Sequence, residues 1–280
     1  MYRGFNLSLD RELTQFEAYR ATGEQFMKKR WPKLEPSLAK LSGSDAIDGD
    51  KIMQDWFQQV DANVFISHSH NDLGLAHGFA GYLHKELGLT PFVDSFVWSS
   101  ADGLLKEFDE LYCRSELGSD YRYEYKKRNY STSHVHMMLA ASLSEVIDRC
   151  ECIIFLNTPE SIEVKDAKER AEEKTASPWI YHELNTSRLI RRNPLSRPRF
   201  AKKTAQREHI TMDSASLEMH VNYKAPVAHL ASIGVVDLGA WQVDVRKARE
   251  TLGDSLVGAM ALDILYERVP DPNPRLLGGR

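Results

Sequence analysis

Cysteine is scarce, with only Cys113, Cys150 and Cys152 in 280 residues. Three thiols cannot build a disulfide framework, and they fit a reducing compartment. Long apolar runs are also missing. Stretches such as Leu256 to Leu262 fall far short of the roughly 18–20 residues a membrane-spanning helix needs, so no membrane partner is expected. The opening Met-Tyr-Arg-Gly-Phe-Asn has no apolar core of a secretion signal, and a cytoplasmic location is expected. An excess of one charge is lacking as well: 36 lysines and arginines face 40 aspartates and glutamates, a formal net charge of −4. That balance excludes a protein whose whole surface holds nucleic acid. There is no G-x-S-x-G nucleophile elbow, and no glycine-rich phosphate loop to support a kinase, an NTPase or a dinucleotide-linked oxidoreductase. What remains is ordinary globular composition, 42% hydrophobic and 27% charged. The length suits one large domain, or one domain with extensions.

Residues 1–60 read as a polar, helical amino-terminal extension. Leu9, Leu13, Phe16 and Tyr19–Arg20 have helical spacing, Trp31-Pro32 breaks the run, and an amphipathic piece spans Ile52 to Val60 after turn-rich sequence. The pattern changes at Asn63. Val64-Phe65-Ile66-Ser67 reads as a strand buried on both faces. A helix follows, with Leu73, Ala76, Phe79, Ala80, Leu83 and Leu87 on one stripe and Gly88 as its stop. Pro91-Phe92-Val93 begins a second strand expected to end near Trp98. Residues 99–133, rich in tyrosine and charge, read as a long insertion with some helix. Ser133 to Arg149 reads as a helix leading into the strand Cys152 to Leu156, and a loop of mixed charge over 160–174 follows. Ser177-Pro178-Trp179 is a helix start with serine as N-cap and proline at the first helical position, and that helix runs to about Arg191. A strand around Val221 to Val227, a long helix from Val243 to Arg268 and a loose tail over 271–280 complete the chain. This alternation gives an α/β domain over 61–270 with a central parallel sheet, and ligands in such sheets bind beyond the carboxyl ends of the strands.

Four pieces in order carry a resemblance. Asp61 to His68 resembles the first box of the Toll/interleukin-1 receptor (TIR) domains, whose opening strand ends in phenylalanine-isoleucine-serine. Phe92-Val93-Asp94 resembles that family's second strand, Cys152 to Asn157 its central strand, and Ser177 to Leu184 its tryptophan–x–x–x–glutamate helix. The match covers about residues 61–191. It implies a flavodoxin-like three-layer sandwich. Family members are either protein–protein adaptors or enzymes that cleave the nicotinamide–ribose bond of NAD+, and the enzymes carry a glutamate at the place of Glu183. The resemblance therefore implies an NAD+ glycohydrolase or cyclase with Glu183 as the catalytic carboxylate. NAD+ enters as the substrate and no cofactor is implied. Trp179, one helical turn before Glu183, would give an aromatic wall for nicotinamide or adenine. Ser67, His68, Ser69 and His70 occupy the pocket-lining positions after the first strand, and Asp94, Phe96 and Trp98 those after the second. The family more often has tyrosine or phenylalanine where His68 stands, and a short loop where residues 99–133 lie. The same resemblance implies that the protein self-associates, works in antiphage immune signalling, and would pass an ADP-ribose-type product to a separate effector.

The residues themselves leave other readings open. Glu183 could be a solvated helix residue and Trp179 a core anchor. Residues 68–70 could form a polar turn, with Asn71 or Asp72 capping the next helix. The module could be a non-catalytic assembly domain. His68-Ser69-His70-Asn71-Asp72 also spells H-x-H-x-D, the opening of a metal-dependent hydrolase signature. That signature needs a histidine directly after the aspartate, where this chain has Leu73, so no metal site is expected. Cys150-x-Cys152 reads as two small buried side chains, not a ligand pair. Between Arg188 and Arg207 stand eight basic residues and no acidic one. They could meet a pyrophosphate or nucleic acid, or form a solvated loop, and a nucleic-acid role is the less expected.

Overall fold

A computed structural model of the chain describes residues 1–9, 14–31, 48–57, 60–114, 123–162, 173–195, 223–253 and 258–272. Parts of the mixed-charge loop, the basic stretch after residue 195 and the tail after residue 272 therefore lie outside the described residues. The chain divides into two compact units, residues 1–27, 61–93 and 147–280 forming the first and residues 28–60 and 94–146 the second.

The first unit is built on a five-stranded, all-parallel sheet in the order β3-β2-β4-β1-β7. Its strands are β1 (Arg3–Ser8), β2 (Val64–Ser67), β3 (Pro91–Val93), β4 (Cys152–Asn157) and β7 (Ala231–Ile233). Parallel sheets need both faces covered, and the apolar runs meet that need: Val64, Phe65, Ile66 and Cys152 to Leu156 have no exposed surface. Helices α3 (Leu73–Leu87), α6 (Pro178–Leu189), α7 (Val235–Leu252) and α8 (Gly258–Arg268) belong to this unit and flank the sheet. A separate two-stranded antiparallel pair joins β5 (Lys174–Thr175) to β6 (Tyr223–Lys224). No helix among the described residues is long and apolar enough to cross a membrane.

Several expectations require correction. The helical extension over 1–60 is not one: its first residues form β1, a central strand paired with β4 and β7. Arg3, Gly4 and Asn6 hide this strand from a hydropathy reading, because only Phe5 and Leu7 advertise an apolar face. The helical part survives as a 3-10 turn over Thr14–Tyr19, α1 (Arg20–Arg30) and α2 (Gly49–Trp56). The second strand stops at Val93 and does not reach Trp98. Residues Ser95–Tyr112 are helix α4, held by Ala101, Leu104 and Phe108 at helical spacing. The insertion is thus mostly helical, since α5 begins at Tyr125 and runs to Arg149. The expected strand over 221–227 reduces to β6, and the true fifth strand, β7, is three residues whose middle side chain is exposed. The final helix is two, because the chain leaves α7 at Gly253 with φ of +56°.

In the second unit Leu104, Phe108, Val135, Leu139 and Leu143 are buried along α4 and α5. The ion pair Arg128–Asp109, at 3.0 Å, and a single bridge between Arg114 and Tyr123 tie these helices together. In the first unit α3 lies against the 3-10 turn and α1 at backbone distance, because small residues face each other. A β-carbon on Gly81 would sit 2.2 Å from the Tyr19 carbonyl oxygen, and one on Gly23 would sit 1.9 Å from that of His77. Neither neighbour is a side chain that can swing away. Gly81→Ala is expected to destabilise the fold by about 1–3 kcal/mol through overpacking. Gly239→Ala, exposed in α7 with no atom within 4 Å, should be neutral or stabilising by up to about 1 kcal/mol. Urea unfolding midpoints of the two variants check this, and equal midpoints would refute the close crossing.

Candidate active site

The connection leaving β2 runs through α3 to β3 on one side, whereas β4 lies on the other side of β2. The chain therefore diverges at the β2–β4 boundary, and in parallel α/β sheets the crevice beyond the carboxyl ends at such a point is where ligands bind. Ser67 is the last residue of β2 and stands level with Phe155 of β4.

Helix α6 delivers the carboxylate to this place. Ser177 caps it by accepting the Ile180 amide at 3.3 Å, and Pro178 presets the first turn. Five residues after the proline, Glu183 is fully buried, with 0% exposure. The Ser67 hydroxyl donates to its Oε2 at 2.6 Å. That length is usual for a hydroxyl on a charged acceptor, one of the stronger protein hydrogen bonds. Burying a carboxyl group is costly unless such bonds offset it. Glu183 is therefore no solvated helix residue. Trp179, one turn earlier, is partly exposed, with its ring edge-on to His182 at a centroid distance of 6.3 Å, so it is no core anchor either.

The remaining expected residues fall in different surroundings. His68 and Ser69 are buried and His70 is exposed. Ser69 accepts the Asn71 amide at 3.4 Å at the head of a short 3-10 turn over His70–Asp72, so it acts as a cap, and α3 then begins at Leu73. Asp72 occupies the N-cap position of α3 without a capping side-chain bond. Asp94 is buried in the turn between β3 and α4. Phe96 and Trp98 lie in the first turns of α4, with side chains outside the described residues. No group of three or more histidine, cysteine or acidic residues that could hold a metal occurs among the described residues. Cys150 and Cys152 are both fully buried, and burial pushes the Cys150 thiol up to about 12.

Sequence reasoning missed the loop after β4. The Thr158 hydroxyl donates to Asp72, and the Asn71 side-chain Nδ2 donates to Glu160 at 3.0 Å, so the loops after β2 and β4 are laced together beyond the carboxyl ends of the strands. The Ser161 hydroxyl donates within its own turn and accepts the Thr158 amide at 2.9 Å. The turn-forming run Asn157-Thr158-Pro159-Glu160-Ser161 was the available signal.

No family model matches the chain, and neither a curated protein nor a solved structure matches it. The site is therefore defined by its own geometry.

One turn beyond Glu183 on the same helix, Ser187 meets His229 Nε2 at 2.8 Å. The serine also donates to the Leu184 carbonyl at 2.9 Å, which fixes it as an anchor. Burial, with Arg192 and Arg188 adding their positive charge, lowers the His229 pKa to about 4 from an ordinary 6.5. Between those values the unfolded chain binds a proton that the folded one refuses, so stability falls as pH drops from about 6.5 towards 4. The wild-type unfolding midpoint should decline over that window more steeply than that of His229→Gln. Parallel declines would show that His229 does not contribute.

Proposed function

We propose that this chain is a TIR-type enzyme that cleaves the nicotinamide–ribose bond of NAD+, with Glu183 as its catalytic carboxylate. The observation that carries the reading is a wholly buried glutamate, hydrogen-bonded to the last residue of β2, at the sheet's topological switch point. The all-parallel order, with Glu183 of α6 bonded to the end of β2, suits the flavodoxin-like sandwich that the sequence resemblance implies.

The chemistry explains the arrangement. Nicotinamide leaves as a neutral base: the C1′–N bond breaks and its electron pair passes to the pyridinium nitrogen, so no acid is needed there. The difficult species is the ribosyl oxocarbenium ion. A carboxylate fixed beside C1′ stabilises that positive charge as it develops, and more strongly in a dry site than in water. Water then adds to C1′ and loses a proton, giving ADP-ribose. In the cyclising variant a nucleophile of the same nucleotide takes the place of water and loses its proton. Ser67 is a positioning residue in this scheme, holding one carboxylate oxygen. Trp179, partly exposed one turn before Glu183, offers a ring face to nicotinamide or adenine. Substrate reaches Glu183 only after the side chains covering it part. Self-association and transfer of the product to a separate effector belong to the same proposal.

The sealing of Glu183 is also the one feature that favours the second reading, a non-catalytic assembly module in which the bond to Ser67 merely ties α6 to the sheet. Purified protein incubated with NAD+ and followed by mass separates the two, because an assembly module releases no nicotinamide. Glu183→Gln is expected to cut release at least ~100-fold while the protein stays folded. Ser67→Ala should lower kcat roughly ten- to hundredfold with little change in KM, the effect of losing a hydrogen bond to a charged group. Ser67→Thr should recover part of it. Full activity in Glu183→Gln would sink the enzyme assignment, and full activity in Ser67→Ala would sink the positioning role alone.

A further inference from the structure

Asn6 lies within the central strand β1, where an apolar residue would be ordinary. It is only 7% exposed, and its Oδ1 has no hydrogen-bond partner among the described residues. Leaving a buried amide oxygen unmatched costs about 1–3 kcal/mol, so its presence calls for a physical reason.

Register supplies one. Asn6 is level with Phe155 of β4, and Phe155 is level with Ser67 of β2. Residues level with one another on parallel strands point to the same face of the sheet. On β1 that face is the opposite of the one carrying Phe5, whose ring stacks on Tyr266 of α8. Ser67, Phe155 and Asn6 thus form one row on the face where Ser67 meets Glu183 of α6. Two strand spacings put the Asn6 and Ser67 backbones roughly 9–10 Å apart. That separation suits a ligand with hydroxyls along its length. Phe155 and Ser67 have no exposed surface, so the ligand reaches the row only when the side chains that cover it part, as at Glu183.

We propose that Asn6 is a second binding residue of this site, its Oδ1 accepting a hydrogen bond from a ribose hydroxyl of the bound nucleotide. The inference rests on the NAD+ reading and names a recognition group outside the span of the sequence resemblance. It predicts an opposition between stability and binding, since the amide is tolerated by the fold and used by the ligand.

The test is Asn6→Leu, of similar size and without the polar atoms. Its unliganded melting temperature should equal or exceed that of wild type. Its KM for NAD+ should rise about fivefold or more, and the thermal shift given by ADP-ribose should shrink in step, as loss of one neutral hydrogen bond requires. Should Asn6→Leu fail to fold, the amide is structural and the inference falls, unless Asn6→Ala folds and shows the raised KM. A lower melting temperature with unchanged KM also overturns it, while nicotinamide release by wild type keeps the NAD+ reading intact. Absence of both release and ADP-ribose binding in wild type sinks the two together.

Discussion

Strand β4 pairs along its whole length with β1 on one side and over Cys152–Phe155 with β2 on the other, and the candidate site depends on that double pairing. Its five apolar side chains are fully buried, so helices must cover both faces. Pairing to β2 creates the boundary at which the chain diverges. It also sets Ser67 at the carboxyl end of an interior strand, beside the buried glutamate. Were β4 displaced by one residue, its whole side-chain pattern would change faces and the row joining Asn6, Phe155 and Ser67 would be lost.

Where hydropathy alone decides the structure, the sequence was legible. Val64 to Ser67, the helix stripe ending at Gly88, the strand from Cys152 and the serine–proline start of α6 all lie where their patterns put them. The failures have separate causes. A strand in the middle of a sheet need not be apolar throughout if its polar residues find specific surroundings, and β1 buries Arg3 by donating to the Tyr266 carbonyl at 3.0 Å. Three-residue strands such as β7 fall below the length at which periodicity speaks. Helix α4 was hidden by Ser99, Ser100 and Gly103, weak helix formers that its buried stripe overrides.

The site was legible in a similar, partial way. Spacing placed Trp179 and Glu183 on one helical face, and the cap placed the helix, but nothing in the local sequence says that the carboxylate meets Ser67 116 positions earlier. Such long-range polar pairings are set by topology, which no window of residues contains. The lacing of Asn71 and Asp72 to the loop after β4 escaped notice for the same reason.

The place of β1 has a consequence for how the molecule is made. Its partners lie far along the chain, Arg3 beside Cys152 and Phe5 beside Ala231. During synthesis that ribbon emerges well before either partner, roughly 150 residues ahead of β4 and roughly 225 ahead of β7, and waits unmatched. Closing such wide loops is slow, and a waiting strand offers its bare edges to any neighbour. Its arginine, glycine and asparagine, which obscure it to hydropathy, also make it a poor template for aggregation while it waits.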